Sequence, residues 1–154
     1  MEIRKVLPSQ IDELVTLRIK VLRSANRLPE DAGLGAVAEE SYRYFREGFE
    51  RDSFAVFFAY EGKIVVGCGG VSFFEIMPTC DFPDGRAAYI MNMYTEPSHR
   101  RRGVAYALLD RIVEECRSRG IRKITLEATD MGRPLYEKYG FVQAGHEMIL
   151  PSAE

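Results

Sequence analysis

Three consecutive arginines, Arg100, Arg101 and Arg102, stand directly before Gly103 and an apolar stretch that has the pattern of a helix start. The first N–H groups of a helix have no intrahelical partners, and the positive end of the helix dipole lies there. Gly103 lets the backbone approach a ligand closely, the small Ala105 leaves room beside it, and the arginines attract phosphate. The pattern predicts a phosphate site. A solvated charged turn is the alternative, which an arginine run alone would favour.

Other phosphate-binding patterns do not fit the chain. The G-x-x-x-x-G-K-[ST] pattern of a P-loop is absent, and the segment GCGG at Gly67 to Gly70 lacks the third glycine of a dinucleotide fingerprint. Glycines inside a β-rich run are more typical of a bulge or of close backbone approach within a strand.

The elements that must position the arginine turn form a βαβ unit. A strand over RAAYIMNMYT ends before Pro97, a helix with one apolar stripe follows the turn and closes at Gly120, and IRKITLEAT is the next strand. Such a unit predicts two parallel strands with a right-handed crossover. The stripe comprises Val104, Leu108, Leu109, Ile112, Val113 and Cys116.

The remaining elements flank this unit on both sides. A short strand, EIRKVL, precedes a helix over 11–23, and Ala38, Tyr42, Phe45 and Phe49 recur at helical spacing in a second helix. SFAVFFAY and IVVGCGGVSFF, separated by EGK, predict a hairpin. A short helix runs from Pro134 to before Gly140, and FVQAGHEMIL is expected to form one bent strand or a hairpin.

Composition limits the classes of function. The 154 residues carry a net charge of −2, with a pI of about 5.8, so no overall positive field would hold nucleic acid or an anionic membrane. The apolar runs are too short for a membrane span and the N-terminus lacks a signal-peptide core, so we expect a cytoplasmic protein. The length of the chain predicts a single domain over 1–154. Three cysteines without CxxC spacing and two histidines argue against a metal site. Cys68 and Cys116 are expected to be buried thiols.

Two segments resemble a known superfamily. RRRGVA, Arg100 to Ala105, is similar to the R-x-x-G-x-A/G acyl-CoA pyrophosphate turn of the GNAT superfamily of N-acetyltransferases, and PLYEKYGF resembles its C-terminal signature. With the order of the other elements, the resemblance covers essentially the whole chain. It implies an α/β (α+β) fold with a mixed, mostly antiparallel central sheet of six or seven strands, a splayed parallel pair, and helices on both faces.

The resemblance also implies a cofactor site for acetyl-CoA as co-substrate. The amides of Arg101, Arg102, Gly103, Val104 and Ala105, beside Arg100, would hold the pyrophosphate. The strand edge at Met93, Tyr94 and Thr95 would pair with the pantetheine arm. Thr129 stands where relatives often have a cofactor-contacting asparagine, and Gly132 where they often have alanine, which leaves the contact by Thr129 open.

The implied reaction is transfer of an acetyl group to a primary amine of a small molecule or peptide by direct attack in a ternary complex. Tyr136 lies where many members keep a tyrosine that protonates the leaving thiolate; a packing aromatic is the alternative. Glu75 is the first candidate for the general base. The alternative, that Glu75 is a solvent-facing residue at the end of its strand, fits the sequence at least as well. A water held by Asn92 and Tyr89 is the second candidate.

Other functions remain to be distinguished. An acyl-CoA-binding sensor without catalysis would bind the cofactor and be insensitive to changes at Tyr136, and nucleic-acid binding fits poorly with the acidic pI. A covalent route through cysteine lacks a neighbouring histidine in any motif. Acidic residues in two loops, Glu30, Asp31, Asp81 and Asp84, hint weakly at a cationic acceptor. A homodimer is left open.

Overall fold

The computed structural model describes residues 1–153. Within them lie five strands and four α-helices, in the order β1 (Glu2–Lys5), α1 (Ile11–Ala25), α2 (Gly35–Arg51), β2 (Phe54–Glu61), β3 (Ile64–Glu75), β4 (Arg86–Thr95), α3 (Val104–Ser118), β5 (Lys123–Leu126) and α4 (Arg133–Tyr139). Short 3₁₀ turns precede α1 and follow β4.

The five strands form one sheet in the order β1-β2-β3-β4-β5. The first three pairings are antiparallel, and β4 and β5 run parallel, as the βαβ pattern predicts. The predicted hairpin is also confirmed. Its turn contains Gly62 at φ 62°, a left-handed conformation that glycine adopts at little cost.

Helices cover both faces of the sheet and define two apolar clusters. On one face, the whole predicted stripe of α3 is buried against β2, β3 and β4. On the other face, Leu14 and Val21 of α1 and Phe45 of α2 pack on Phe54, Val56 and Phe58 of β2. Because both faces are covered, β2 is a continuous run of buried residues from Phe54 to Ala59, without polar alternation.

The expectation of six or seven strands was too high. Residues 141–150 form neither the bent strand nor the hairpin, so the described sheet has five strands. Phe141 packs against the α3-side cluster, but Val142, Met148, Ile149 and Leu150 are each more than 80% exposed. A segment with the pattern of a strand forms one only where a neighbouring strand supplies hydrogen-bond partners, and no described strand pairs with residues 141–150.

Candidate active site

The arginine turn links the end of β4 to the start of α3 through two left-handed residues, Arg101 at φ 61° and Gly103 at φ 81°. None of the backbone N–H groups of residues 101–106 donates a hydrogen bond within the described chain, and the first one that does, on Ala107, reaches the carbonyl of Gly103 at 3.0 Å. No side chain caps this helix end. Six successive donors are therefore free at the positive end of a 15-residue helix, which is a site suited to a diphosphate.

Two side chains fix the turn in place. The Nε of Arg100 donates to the carbonyl oxygen of Thr95 at 3.2 Å, so the first arginine is tied to the end of β4. His99 contacts the hydroxyl of Ser98 at 2.8 Å through Nδ1 and the carboxylate of Glu61 through Nε2. The side chains of Arg101 and Arg102 are exposed and available to an anion.

The pairing of β4 with β5 stops short of this turn. β5 pairs with β4 only from Ala87 to Ile90, so the edge of β4 from Met91 to Thr95 has no partner strand on that side. Met93 packs toward α3 and Tyr94 toward α1 and α2. The hydroxyl of Thr95 is buried without a hydrogen-bond partner in the described structure. The predicted strand edge is therefore unpaired on the side of β5, and the free amides of the turn follow it directly in the chain.

A β-bulge marks the point where the strands separate. Met91 pairs with Gly70 and Tyr94 with Cys68, so two residues of β4, Asn92 and Met93, lie opposite Gly69 alone. A Cβ on Gly69 would lie 2.5 Å from the Met93 sulfur and 2.8 Å from Cδ1 of Ile112, so a larger residue there would require these side chains to shift. The predicted role of the GCGG glycines in a bulge is confirmed.

Asn92 occupies the bulge with φ 61°, a conformation that asparagine tolerates better than most residues. Its side-chain oxygen accepts a hydrogen bond from Nη1 of Arg18 at 3.1 Å, and its Nδ2 is buried without an acceptor among the described residues. Such locally costly arrangements concentrate at functional sites.

Tyr136 lies in α4 as a buried member of the α3-side cluster, 6.1 Å from the ring of Phe141. Burial is the one cause that raises its pKa, and its hydroxyl has no hydrogen bond with the described residues. The phenol therefore stays protonated at neutral pH. Thr129 has a local role as well, because its hydroxyl accepts the N–H of Gly132 at 3.1 Å before α4 begins.

The first candidate for the general base, Glu75, lies away from the bulge, whereas Asn92 of the second candidate lies in it. Glu75 is exposed at the far end of β3, opposite Arg86, five residues beyond Gly70 and thus about 17 Å along the strand. The oxygen of Asn92 is already used by Arg18, and Tyr89 lies two residues before the bulge, where burial raises its pKa. The interpretation of Glu75 as a solvent-facing strand end agrees with this position.

Two buried cysteines match the expectation of inert thiols. Cys68 and Cys116 are both fully buried, and burial raises the pKa of Cys68 to about 12 and that of Cys116 to about 11. A thiol that stays protonated is a poor nucleophile. The described residues contain no group of His, Cys, Asp and Glu side chains arranged to hold a metal ion.

Sequence reasoning missed a cavity of about 510 Å³ between α1, α2 and the sheet, lined in part by Arg18 and Asn92. A signal was present in the sequence. Arg18 follows Leu14 by four residues and precedes Val21 by three, so it occupies the buried face of an amphipathic helix, where an arginine is unusual.

Known proteins share this fold and these segments. Residues 22–141 match the family model described as the acetyltransferase (GNAT) family. A predicted acetyltransferase from Clostridium acetobutylicum, crystallised with acetyl-CoA, superposes with a TM-score of 0.88 at 33% identity over 97% of this chain and 95% of that one. A GCN5-related N-acetyltransferase from Ralstonia eutropha gives 0.85 at 28% identity over 99% of both chains.

A curated relative points to the same family. The uncharacterized N-acetyltransferase YsnE of Bacillus subtilis is 38% identical over 88 residues, which are 54% of this chain and 52% of that protein. The chain spans about half the length of the curated relatives it matches. On the family model and the whole-chain structural match, the chain belongs to the GNAT family of acetyltransferases.

Proposed function

We propose that the protein is an N-acetyltransferase that transfers an acetyl group from acetyl-CoA to a primary amine of a small molecule or peptide. Acetyl-CoA as co-substrate is supported by the family and by the acetyl-CoA complex of the Clostridium acetobutylicum relative. The observation that carries the proposal is the run of six free backbone amides at residues 101–106 beside the unpaired edge of β4.

The residues present fit this co-substrate. The free amides and the exposed Arg101 and Arg102 are suited to a diphosphate, and the edge at Met93, Tyr94 and Thr95 is suited to pairing with an amide-containing arm. The space around Gly103 is open, because a Cβ built there meets no atom within 4 Å. The edge of β4 from Met91 to Thr95, which has no partner strand on the side of β5, would gain hydrogen-bond partners there.

Acetyl-CoA supplies, when bound, a thioester; in the transfer a bond forms between the amine nitrogen and the acetyl carbon, and the bond between that carbon and sulfur breaks. We assign to Tyr136 the donation of a proton to the departing sulfur, because burial keeps this phenol neutral and its hydroxyl is free; the phenolate that remains regains a proton from solvent. The proton lost by the amine goes to solvent in the cavity, since Glu75 is distant and Glu40, which lines the cavity, is bonded to Arg43 at 2.7 Å.

The test combines calorimetry with acetyl-CoA and a CoA-release assay over a panel of primary amines. We expect saturable binding of acetyl-CoA and release of CoA that depends on the amine. Absence of acetyl-CoA binding would refute the proposal. Tight binding without turnover on any amine would favour the acyl-CoA sensor instead.

Two expectations stay predictions from the sequence: a single domain over residues 1–154 and a cytoplasmic location. The sequence left a homodimer open. None of the helices described within residues 1–153 is long and apolar enough to cross a membrane.

A further inference from the structure

The cavity beside the bulge has the size of a small-molecule site. Its volume of about 510 Å³ falls within the range of roughly 300–1,000 Å³ that ligand pockets occupy. Gly70 and Ser72 of β3 and Met91 of β4 line it from the sheet, and Val37 and Tyr44 line it from α2. It therefore reaches the point where β4 and β5 separate, next to the unpaired strand edge on which the proposed function depends.

The charge of this cavity is not balanced. Its charged lining residues are Arg18, Glu40 and Arg43. Arg43 is bonded to Glu40 at 2.7 Å and to Glu47 at 3.1 Å, so its charge is neutralised. Arg18 forms no ion pair with any residue from 1 to 153, and its hydrogen bond to the neutral side chain of Asn92 uses one of five N–H donors.

The environment of Arg18 makes this lone charge costly. The side chain is half-buried on the inner face of α1, and burial lowers its pKa. A guanidinium that is removed from water without a carboxylate is destabilising unless a ligand supplies the missing anion. The rest of the lining is mostly apolar, with Val37, Val56 and Met91 among its members.

We propose that this cavity binds the acceptor through a carboxylate held by Arg18, so that the substrate class is an amine that carries a carboxylate and an apolar body, as in an apolar amino acid. This inference rests on the proposed acetyl transfer for the role of the amine. One unpaired positive charge matches one carboxylate, whereas a phosphate group of nearly two negative charges would be only partly neutralised.

The acidic loop residues do not oppose this choice. Glu30 and Asp31 in the loop between α1 and α2, and Asp81 and Asp84 between β3 and β4, do not line the cavity. Asp84 accepts the N–H of Arg86, and the carbonyl of Asp81 accepts a hydrogen bond from Arg122. The hint of a cationic acceptor therefore comes from residues outside this site.

A binding experiment tests the anion site without any need for turnover. Calorimetry compares 3-phenylpropanoate with the neutral 3-phenylpropanamide, in the presence of CoA, on the wild-type protein and on Arg18→Gln, Arg18→Lys and Arg46→Gln. We expect the wild-type protein to prefer the carboxylate, and Arg18→Gln to weaken carboxylate binding about 10- to 100-fold with no effect on the amide. Arg46 is exposed on α2 outside the cavity, so Arg46→Gln is the matched control and should bind like the wild type.

Arg18→Lys should retain part of the affinity, because the charge remains while the planar fork is lost. Thermal unfolding and acetyl-CoA affinity show whether each variant is folded. Equal binding of the carboxylate and the amide by the wild-type protein would overturn the proposal. An equal loss for both ligands in a folded Arg18→Gln protein would overturn it as well.

Turnover separates this inference from the proposed function. Phenylalanine and phenethylamine differ only by the carboxylate, and we expect Arg18→Gln to lower the kcat/KM for phenylalanine about 10- to 100-fold more than the kcat/KM for phenethylamine. Acetylation of both amines without a preference would contradict the carboxylate site but keep the transferase. Carboxylate binding that depends on Arg18, without acetyl-CoA binding, would refute the transferase but support the anion site.

Discussion

Replacement of Gly103 by alanine tests the free amides of the arginine turn. Gly103 has φ 81°, and a Cβ built on it meets no atom within 4 Å, so alanine adds backbone strain without a steric clash. A left-handed conformation costs a non-glycine residue about 1–2 kcal/mol, and the stiffer unfolded chain offsets about 0.4–1 kcal/mol of that cost. The free energy of unfolding should fall by about 1 kcal/mol, which lowers Tm by about 2–4 °C in a chain of this size.

The same change should weaken acetyl-CoA binding far more than it lowers stability. The turn can relieve the strain by rotating residue 103 toward negative φ, and this rotation turns the neighbouring N–H groups away from their common direction. Loss of one hydrogen bond to a charged group corresponds to about 1.5–3 kcal/mol, so we expect the Kd for acetyl-CoA to rise about 10- to 100-fold by calorimetry.

Gly120→Ala is the matched control. Gly120 has φ 73° and lies just beyond the opposite end of α3. A Cβ built on it would lie 3.6 Å from a nitrogen of Arg86, which is an ordinary van der Waals contact. Both variants should lose similar stability, but only Gly103→Ala should lose affinity. If the two variants bound acetyl-CoA equally well, the assignment of the diphosphate to these amides would be wrong.

Further predictions concern the reaction and stability. Tyr136→Phe should lower kcat about 100-fold with acetyl-CoA affinity unchanged, whereas Tyr139→Phe in the same helix should leave kcat unchanged; equal turnover would remove Tyr136 from the mechanism. Cys68→Ala should keep its activity, because the thiol of Cys68 is buried and protonated. A large loss of activity at unchanged stability would support covalent catalysis through this thiol. Arg119 bonds the carboxylate of Asp52 at 2.9 Å and lowers its pKa, but Asp52 is largely exposed and screened by solvent, so Arg119→Gln should cost only about 0.5–1 kcal/mol in urea unfolding at pH 7. Because this stabilisation needs the ionised carboxylate, the difference from wild type should shrink as the pH falls through that lowered pKa; a constant difference would contradict it.

Local patterns predicted the framework around the turn. The apolar stripe of α3 repeats at the helical period and is buried as predicted, and the strand over RAAYIMNMYT has the bounds of β4. Gly103 and the arginines stand at the junction between them. These features depend on neighbours within a few residues, since helix periodicity, helix ends and turns are set by short-range interactions.

Features that depend on distant partners were harder to predict. Residues 141–150 have the composition of a strand but lack a partner, and Glu75 has the right chemistry at the wrong end of the sheet. Arg18 and Asn92 are 74 positions apart, and only the packing of α1 on the bulged strand joins them.

The amino-acid sequence alone determined the βαβ unit, the exposed amides before α3 and the resemblance to an acyl-CoA-binding superfamily, because each is encoded in contiguous residues. Tertiary structure alone decided the number of paired strands, the end of the sheet at which each carboxylate lies, and the unbalanced charge of the cavity at Arg18. These depend on register and packing between elements far apart in the chain, where a shift of one residue would turn each strand side chain to the opposite face.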